Sequence, residues 1–138
     1  MASIHDYKDK LFASSLFQWM PEEGLDNFEG CFDLESEELL CSETRWTENR
    51  IGYLLSGNAI LEREGQFPAI ISEGHLFGVS LSSRADISYE AENAAISAIS
   101  NCTVLWMDYE KSRFVCYGGC WFHARLLLEI KEHLKNQK

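Results

Sequence analysis

The chain has 138 residues, of which 46% are hydrophobic and 12% aromatic, and this composition predicts one globular domain with a buried core. The 22 acidic residues outnumber the 12 basic ones, which gives a formal net charge of −10. An acidic surface repels the phosphate backbone of nucleic acids, so this chain alone is not expected to bind DNA.

The compartment of the protein follows from its apolar runs and its cysteines. The first ten residues are too polar for a secretory signal, and the longest aliphatic run, 126–128, is too short to cross a bilayer. We therefore expect a cytoplasmic protein without membrane contact, whose five cysteines are reduced thiols. Residues 22–48 hold ten carboxylates and one base, Arg45. This stretch is interpreted as a solvated face, with an acidic docking surface as the alternative.

The N-terminal part of the chain is predicted to be helical. Apolar residues recur at helical spacing from Ile4 to Phe12, which indicates a helix over 5–17. Pro21 followed by acidic residues predicts a second short helix, because acids favour the N-terminal end of a helix. Residues 1–32 therefore form a helical lead-in.

The middle of the chain carries short segments of alternating polarity. Gly57 and Gly65 stand where hairpins would turn. Cys102, Val104 and Trp106 share one face of the last segment, so Cys102 is interpreted as a small core residue. Regular hairpin spacing favours a mainly β fold, an antiparallel roll or barrel. The predicted strands are 38–41, 51–56, 58–62, 68–72, 94–99 and 103–107.

Residues 121–138 are predicted to form one long helix with two apolar stripes. The first stripe holds His123, Leu127, Ile130 and Leu134, and the second holds Phe122 and Leu126. Together they are wider than the face needed to cover one β roll, which implies a second partner. The alternative is that all these residues pack within one chain.

The ordered segments RIGYLLSGNAILEREGQ, EGHLFGV and AISAISNCTVLWMDYEK resemble the sensor domain of the Crp/Fnr family of bacterial transcription regulators. The resemblance covers nearly the whole chain and is strongest to a Clostridia-type branch, in which a Cys-rich segment such as CYGGCWFHARLL opens the long helix. It implies a single cyclic-nucleotide-binding-like domain over 1–138, an antiparallel β roll of the double-stranded β-helix or jelly-roll type. Residues 1–32 would be its lead-in, 33–110 its roll and 119–138 its dimerisation helix.

The same resemblance implies a function in transcription regulation. The domain would sense a small-molecule effector and form a homodimer through the last helix. DNA would be contacted only through a helix-turn-helix domain that is not part of this chain. The alternative is a stand-alone β-roll module for protein interaction, without a DNA-binding partner domain.

The expected effector is not a cyclic nucleotide. Family members that bind cyclic AMP or cyclic GMP carry Phe-Gly-Glu, a loop, and then an Arg that grips the phosphate. Here Val79 stands where the Glu would be, and the Arg position falls near Glu92 or Asn93. A carboxylate at that position would disfavour a phosphate by about 1 kcal/mol or more. The predicted pocket for another effector is formed by Phe77, Gly78, Val79, Arg84, Glu92 and Asn93.

A metal or redox site is weakly indicated at the start of the last helix. Cys116, Cys120 and His123 have ligand chemistry, but no fourth ligand is near and two glycines loosen the turn. We therefore expect no metal there; a disulfide switch between the two cysteines is the alternative. His75 is the one candidate haem ligand in the β region and is interpreted as a surface residue. No cofactor is expected, and no catalytic constellation is present in the sequence, so the protein is predicted not to be an enzyme.

Overall fold

The structure is a computed structural model that describes residues 4–21, 23, 35–39, 43–45, 50–84, 86–89, 94–108 and 121–137. A 3-10 turn, Ile4–Tyr7, leads into helix α1, Lys8–Ala13, and the long helix α2 is Trp121–Asn136. The strands are β1 Glu35–Leu39, β2 Glu43–Arg45, β3 Arg50–Ser56, β4 Ala59–Glu62, β5 Ala69–Ile71, β6 Leu76–Phe77, β7 Val79–Leu81, β8 Ile87–Tyr89, β9 Ala95–Ala98 and β10 Cys102–Asp108.

Two antiparallel sheets form a β roll. Among the described residues, one sheet has the order β1-β10-β3-β6 and the other the order β2-β9-β4-β5, while β7 and β8 pair as a separate hairpin. All described strand pairs are antiparallel. The predicted mainly β roll with terminal helices is therefore confirmed.

The central strands β3 and β10 are buried on both faces, so they separate two apolar cores. The first, here called the helix-side core, joins one face of the sheet to α1, the turn after it and α2. The second, the roll-interior core, lies between the two sheets. Cys102, Val104 and Trp106 all belong to the roll interior, which confirms their shared face. Leu105 and Met107 point to the helix-side core, as period-two alternation requires.

Gly52 is needed where β3 passes under an aromatic ring. It pairs with Phe77 on β6 and with Trp106 on β10. A Cβ built on Gly52 would lie 2.0 Å from the ring of Phe77. The missing side chain therefore makes room for Phe77, which packs edge to face on Trp106 with ring centroids 5.4 Å apart.

The boundaries of several predicted elements differ from those observed. The helix predicted over 5–17 is shorter, because Ser14 is extended (φ −85°, ψ 138°) and its hydroxyl accepts a hydrogen bond from the Leu16 N–H at 3.1 Å. The strand predicted over 38–41 already begins at Glu35. The segments β2, β6, β7 and β8 were not predicted, since strands of two or three residues give little periodicity. The second short helix lies outside the described residues, apart from Pro21 and Glu23.

In the described parts of the chain, no helix is long and apolar enough to cross a membrane.

Candidate functional site

The described residues of the predicted effector pocket lie in different parts of the fold. Phe77 is fully buried in the roll interior, whereas Val79 is buried in the helix-side core. Gly78, between them, has φ +90°, a conformation that favours glycine. The chain thus passes from one core to the other within three residues, and two neighbours in sequence line different parts of the molecule.

Arg84 lies in the turn of the β7–β8 hairpin and its side chain is exposed. Ser82 organises this turn: its N–H donates to Asp86 O at 2.7 Å, and its hydroxyl accepts from the N–H groups of Arg84 and Asp86 at 3.3 and 3.2 Å. The sequence predicts a loop here that could turn Arg84 inward. The hairpin instead holds it in solvent, so it does not join Phe77. The remaining members, Glu92 and Asn93, lie outside the described residues.

Three residues of the predicted dimerisation face pack against other residues of the same chain. Leu126, Ile130 and Leu134 are buried in the helix-side core. Leu127 is half-buried, and Leu128, which was not in the prediction, is 52% exposed. The buried stripe follows i, i+4, i+8 spacing. The predicted face therefore includes residues from two sides of α2, the side packed on the sheet and the side turned away from it. The side chains of Phe122 and His123 are outside what the structure describes.

The predicted metal candidates cannot be placed, because Cys116 and Cys120 and the side chain of His123 lie outside the described residues. Within the described residues, no three His, Cys, Asp or Glu side chains are arranged to hold a metal ion. Cys102 is a buried thiol whose Sγ donates to Asn58 O at 3.0 Å. It is the small core residue that the strand pattern predicted.

Trp106 buries a polar group, its indole N–H, in the roll interior. Its side chain is buried, and its indole Nε1 has no hydrogen-bond partner among the described residues. The guanidinium of Arg50 lies over its ring, 4.5 Å from the centroid. A buried unpaired N–H is unfavourable by about 1–3 kcal/mol, which the cation–π contact of Arg50 and the edge-to-face contact of Phe77 with the ring offset.

A groove with both polar and apolar lining lies on the other side of the sheet, where α1, the end of β3 and the turn 72–75 meet. We call it the junction groove; it has a volume of about 390 Å³. A smaller cavity of about 200 Å³ continues from it toward α2 and shares Glu73 and Gly74. The junction groove is lined by Lys10, Ala13, Ser14, Tyr53, Leu55, Glu73 and Gly74.

Charged and hydroxyl groups face each other across the junction groove. Lys10 Nζ forms an ion pair with Glu73 and donates to Leu55 O at 3.3 Å. The hydroxyls of Ser14 and Tyr53 are hydrogen-bonded to each other. Burial raises the pKa of Tyr53; the hydrogen bond from Ser14 opposes this, and the negative charge of Glu73 adds to it. Tyr53 therefore keeps its hydroxyl proton at physiological pH.

Four residues tie the C-terminal end of α2 to the turn before Phe77, and we call them the α2 clasp. His133 Nε2 is hydrogen-bonded to Gly74 O. The side-chain amide of Gln137 accepts from the N–H of Leu76 at 2.7 Å and donates to its carbonyl at 2.9 Å. Because Gly74 and Leu76 flank His75, the clasp fixes this turn against the helix.

His75 was expected to be a surface residue, but it is half-buried beside the clasp. Burial is the main cause that lowers its pKa to about 4, and the nearby Arg63 and His133 contribute in the same direction. His75 is therefore neutral at physiological pH. The sequence showed a glycine turn around this histidine but held no signal that α2 would cover it.

No protein-family model matches the chain, and no curated protein matches it either. Solved structures do match. A candidate cyclic nucleotide-binding protein from Geobacter metallireducens is 14% identical with a TM-score of 0.65, over 94% of this chain and 96% of that one. The sensor domain of the transcriptional regulator DNR from Pseudomonas aeruginosa is 14% identical with a TM-score of 0.58, over 93% and 90%.

The catabolite activator protein of Thermus thermophilus is 15% identical with a TM-score of 0.57. The match covers 89% of this chain and 57% of that longer protein. At such identities the likeness concerns the backbone architecture, which is the same two-sheet roll with helices at its ends. The chain therefore has the fold of cyclic-nucleotide-binding domains.

Proposed function

We propose that this chain is the effector-sensing and dimerisation domain of a Crp/Fnr-type transcription regulator in the cytoplasm, and that its effector is not a cyclic nucleotide. The fold supports the first part, because sensor domains of regulators are among the structures that share it. The second part rests on one observation. The segment after Phe77 and Gly78 is a β hairpin that buries Val79 and exposes Arg84.

A cyclic phosphate needs a cation or several N–H donors around its oxygens. Arg84 is the only base between residues 79 and 95, and its turn holds it in solvent. Val79 offers no side-chain acceptor for a ribose hydroxyl and is packed in the helix-side core. Both features disfavour cyclic AMP and cyclic GMP.

Titration calorimetry of the purified chain with cyclic AMP and cyclic GMP tests this proposal. We expect no heat of binding up to millimolar nucleotide, with a cyclic-AMP-binding domain as the positive control. The matched variant Arg84→Ser should behave like the parent chain. Micromolar affinity for either nucleotide would contradict the proposal.

The second candidate function, a protein-interaction module, is favoured by the β4–β5 hairpin. Phe67 and Ile70 on this hairpin are 96% and 75% exposed, and large exposed apolar residues are typical of docking surfaces. The reading frame of the natural gene distinguishes the two candidates. A helix-turn-helix region encoded after Lys138 supports the regulator, and a stop codon there supports the interaction module.

A further inference from the structure

The junction groove keeps hydrogen-bond donors that its own residues do not use. A lysine ammonium has three N–H donors, and the described bonds of Lys10 use two of them, to Leu55 O and Glu73. The hydroxyls of Ser14 and Tyr53 carry two protons, of which one lies in the bond between them. Ser14 Oγ also accepts from the Leu16 N–H. One ammonium N–H and one hydroxyl O–H thus remain for an acceptor in the groove.

Glu73 gives the same groove an acceptor. An ionised carboxylate can accept about four hydrogen bonds, and the described partner of Glu73 is Lys10. The side chains of this pair are 49% and 58% exposed. Ion pairs at such exposure contribute little to stability, so a ligand can enter between the two charges without a large loss.

We propose that the junction groove binds a small zwitterion of the α-amino acid class. Its carboxylate would be held by Lys10 and by the hydroxyl proton of the Ser14–Tyr53 pair, and its ammonium group by Glu73. Charge balance selects this class. A simple anion would pair with Lys10 but would be repelled by the carboxylate of Glu73, and a simple cation would pair with Glu73 but would be repelled by Lys10. A zwitterion carries both charges, so Lys10 and Glu73 each keep an opposite charge beside them.

The size and position of the groove agree with this ligand. A volume of about 390 Å³ is at the small end of the range for ligand pockets. The adjoining cavity offers Ser72 and Asn136 for a polar ligand side chain. Gly74 lines both cavities and has φ +90°, a conformation that favours glycine.

This site is separate from the roll interior that contains Phe77. It joins α1, the turn 72–75 and, through the smaller cavity, α2. The inference goes beyond the proposed function and does not depend on it, since a zwitterion can bind here whether the domain regulates transcription or docks another protein.

A nuclear magnetic resonance titration of the 15N-labelled full chain tests the site. The probes are the common L-amino acids, each tested singly, with acetate and ethylammonium as half-ligands. We expect at least one amino acid to shift the amide signals of Ser14, Leu16 and Gly74 saturably, and each half-ligand to bind at least about tenfold more weakly. Acetate binding as tightly as the amino acid would overturn the zwitterion, as would the absence of saturable shifts up to about 50 mM.

Two variants check the residues. Lys10→Met and Tyr53→Phe should each weaken binding by at least about fivefold, because each removes a hydrogen bond to a charged group. The control Lys135→Met, which removes an exposed ion pair with Glu132 on α2, should leave binding unchanged. Signals that change throughout the spectrum of Tyr53→Phe would mean that this variant is misfolded. Lys10→Met then remains the test, because the side chain of Lys10 is half-exposed. Parent-like affinity in Lys10→Met would refute the assignment.

Discussion

Acidification from pH 7 to pH 5 should destabilise the fold through His75. The ordinary pKa of histidine is about 6.5, and in the fold that of His75 is lowered to about 4. As the pH falls, the unfolded chain therefore takes up this proton before the folded chain does, and protonation favours unfolding. The stability contributed by neutral His75 is complete above about pH 6.5 and is lost progressively toward about pH 4.

The size of the effect follows from the two pKa values. The full shift, from about 6.5 in the unfolded chain to about 4 in the fold, corresponds to about 2 kcal/mol between pH 7 and pH 5. Because the ring is half-buried and water screens its charge, we expect the free energy of unfolding to fall by about 1 kcal/mol. The causes agree in sign, because burial disfavours the charged ring and the nearby Arg63 and His133 also lower its pKa.

Urea unfolding at pH 5, 6, 7 and 8 measures this contribution in the parent chain and in His75→Gln. Glutamine keeps a polar side chain of similar length but does not titrate, so the variant should lose about 1 kcal/mol less between pH 7 and pH 5. Between pH 7 and pH 8 the two proteins should keep a constant difference. Equal losses in both proteins on acidification would refute the reasoning.

Further substitutions test the packing of both cores and the use of α2. Gly52→Ala should destabilise the chain by about 2–4 kcal/mol in urea unfolding, because the new Cβ would overlap the Phe77 ring; a loss below about 0.5 kcal/mol would contradict that packing. If the chain dimerises through the outer face of α2, Leu127→Glu should give a folded monomer in sedimentation experiments, and a parent chain that is already monomeric at high micromolar concentration rules the dimer out. Ile130→Glu should instead unfold the chain, because it places an unpaired charge in the helix-side core; a normal circular dichroism spectrum would show otherwise. Gln137→Leu should unfold with about 1–2 kcal/mol less free energy, because the N–H and carbonyl of Leu76 lose their partner, and parent-like stability would argue against the clasp.

The sequence could predict the β roll because β3 and β10 carry strong local signals. Each strand is a nearly continuous apolar run, Gly57 directly follows β3, and Cys102 lies in the roll interior as predicted. The β7–β8 hairpin was not predicted, because each strand has three residues and Ser80 and Ser88 lie opposite each other. Such polar pairs look like a loop in the sequence.

The dimer face and the junction groove show two limits of a single sequence. A helical stripe shows which residues are apolar but does not show whether the same chain or another covers them. Leu126 and Ile130, which the sequence assigns to the dimer face, are buried in the helix-side core. Lys10, Tyr53 and Glu73 are far apart along the chain and have no common motif. Only the packing of α1 on β3 and the turn brings them to one groove.

The Gln137 amide has a consequence for aggregation. β6 is an outer strand of its sheet among the described residues, and Leu76 directs its N–H and carbonyl away from β3. Open backbone groups of this kind can pair with a strand of another molecule. Gln137 fills both positions as a residue of a neighbouring strand would, so the end of α2 acts as a blocking element for this sheet edge. Loss of the last turn of α2 would therefore expose a template for intermolecular β pairing.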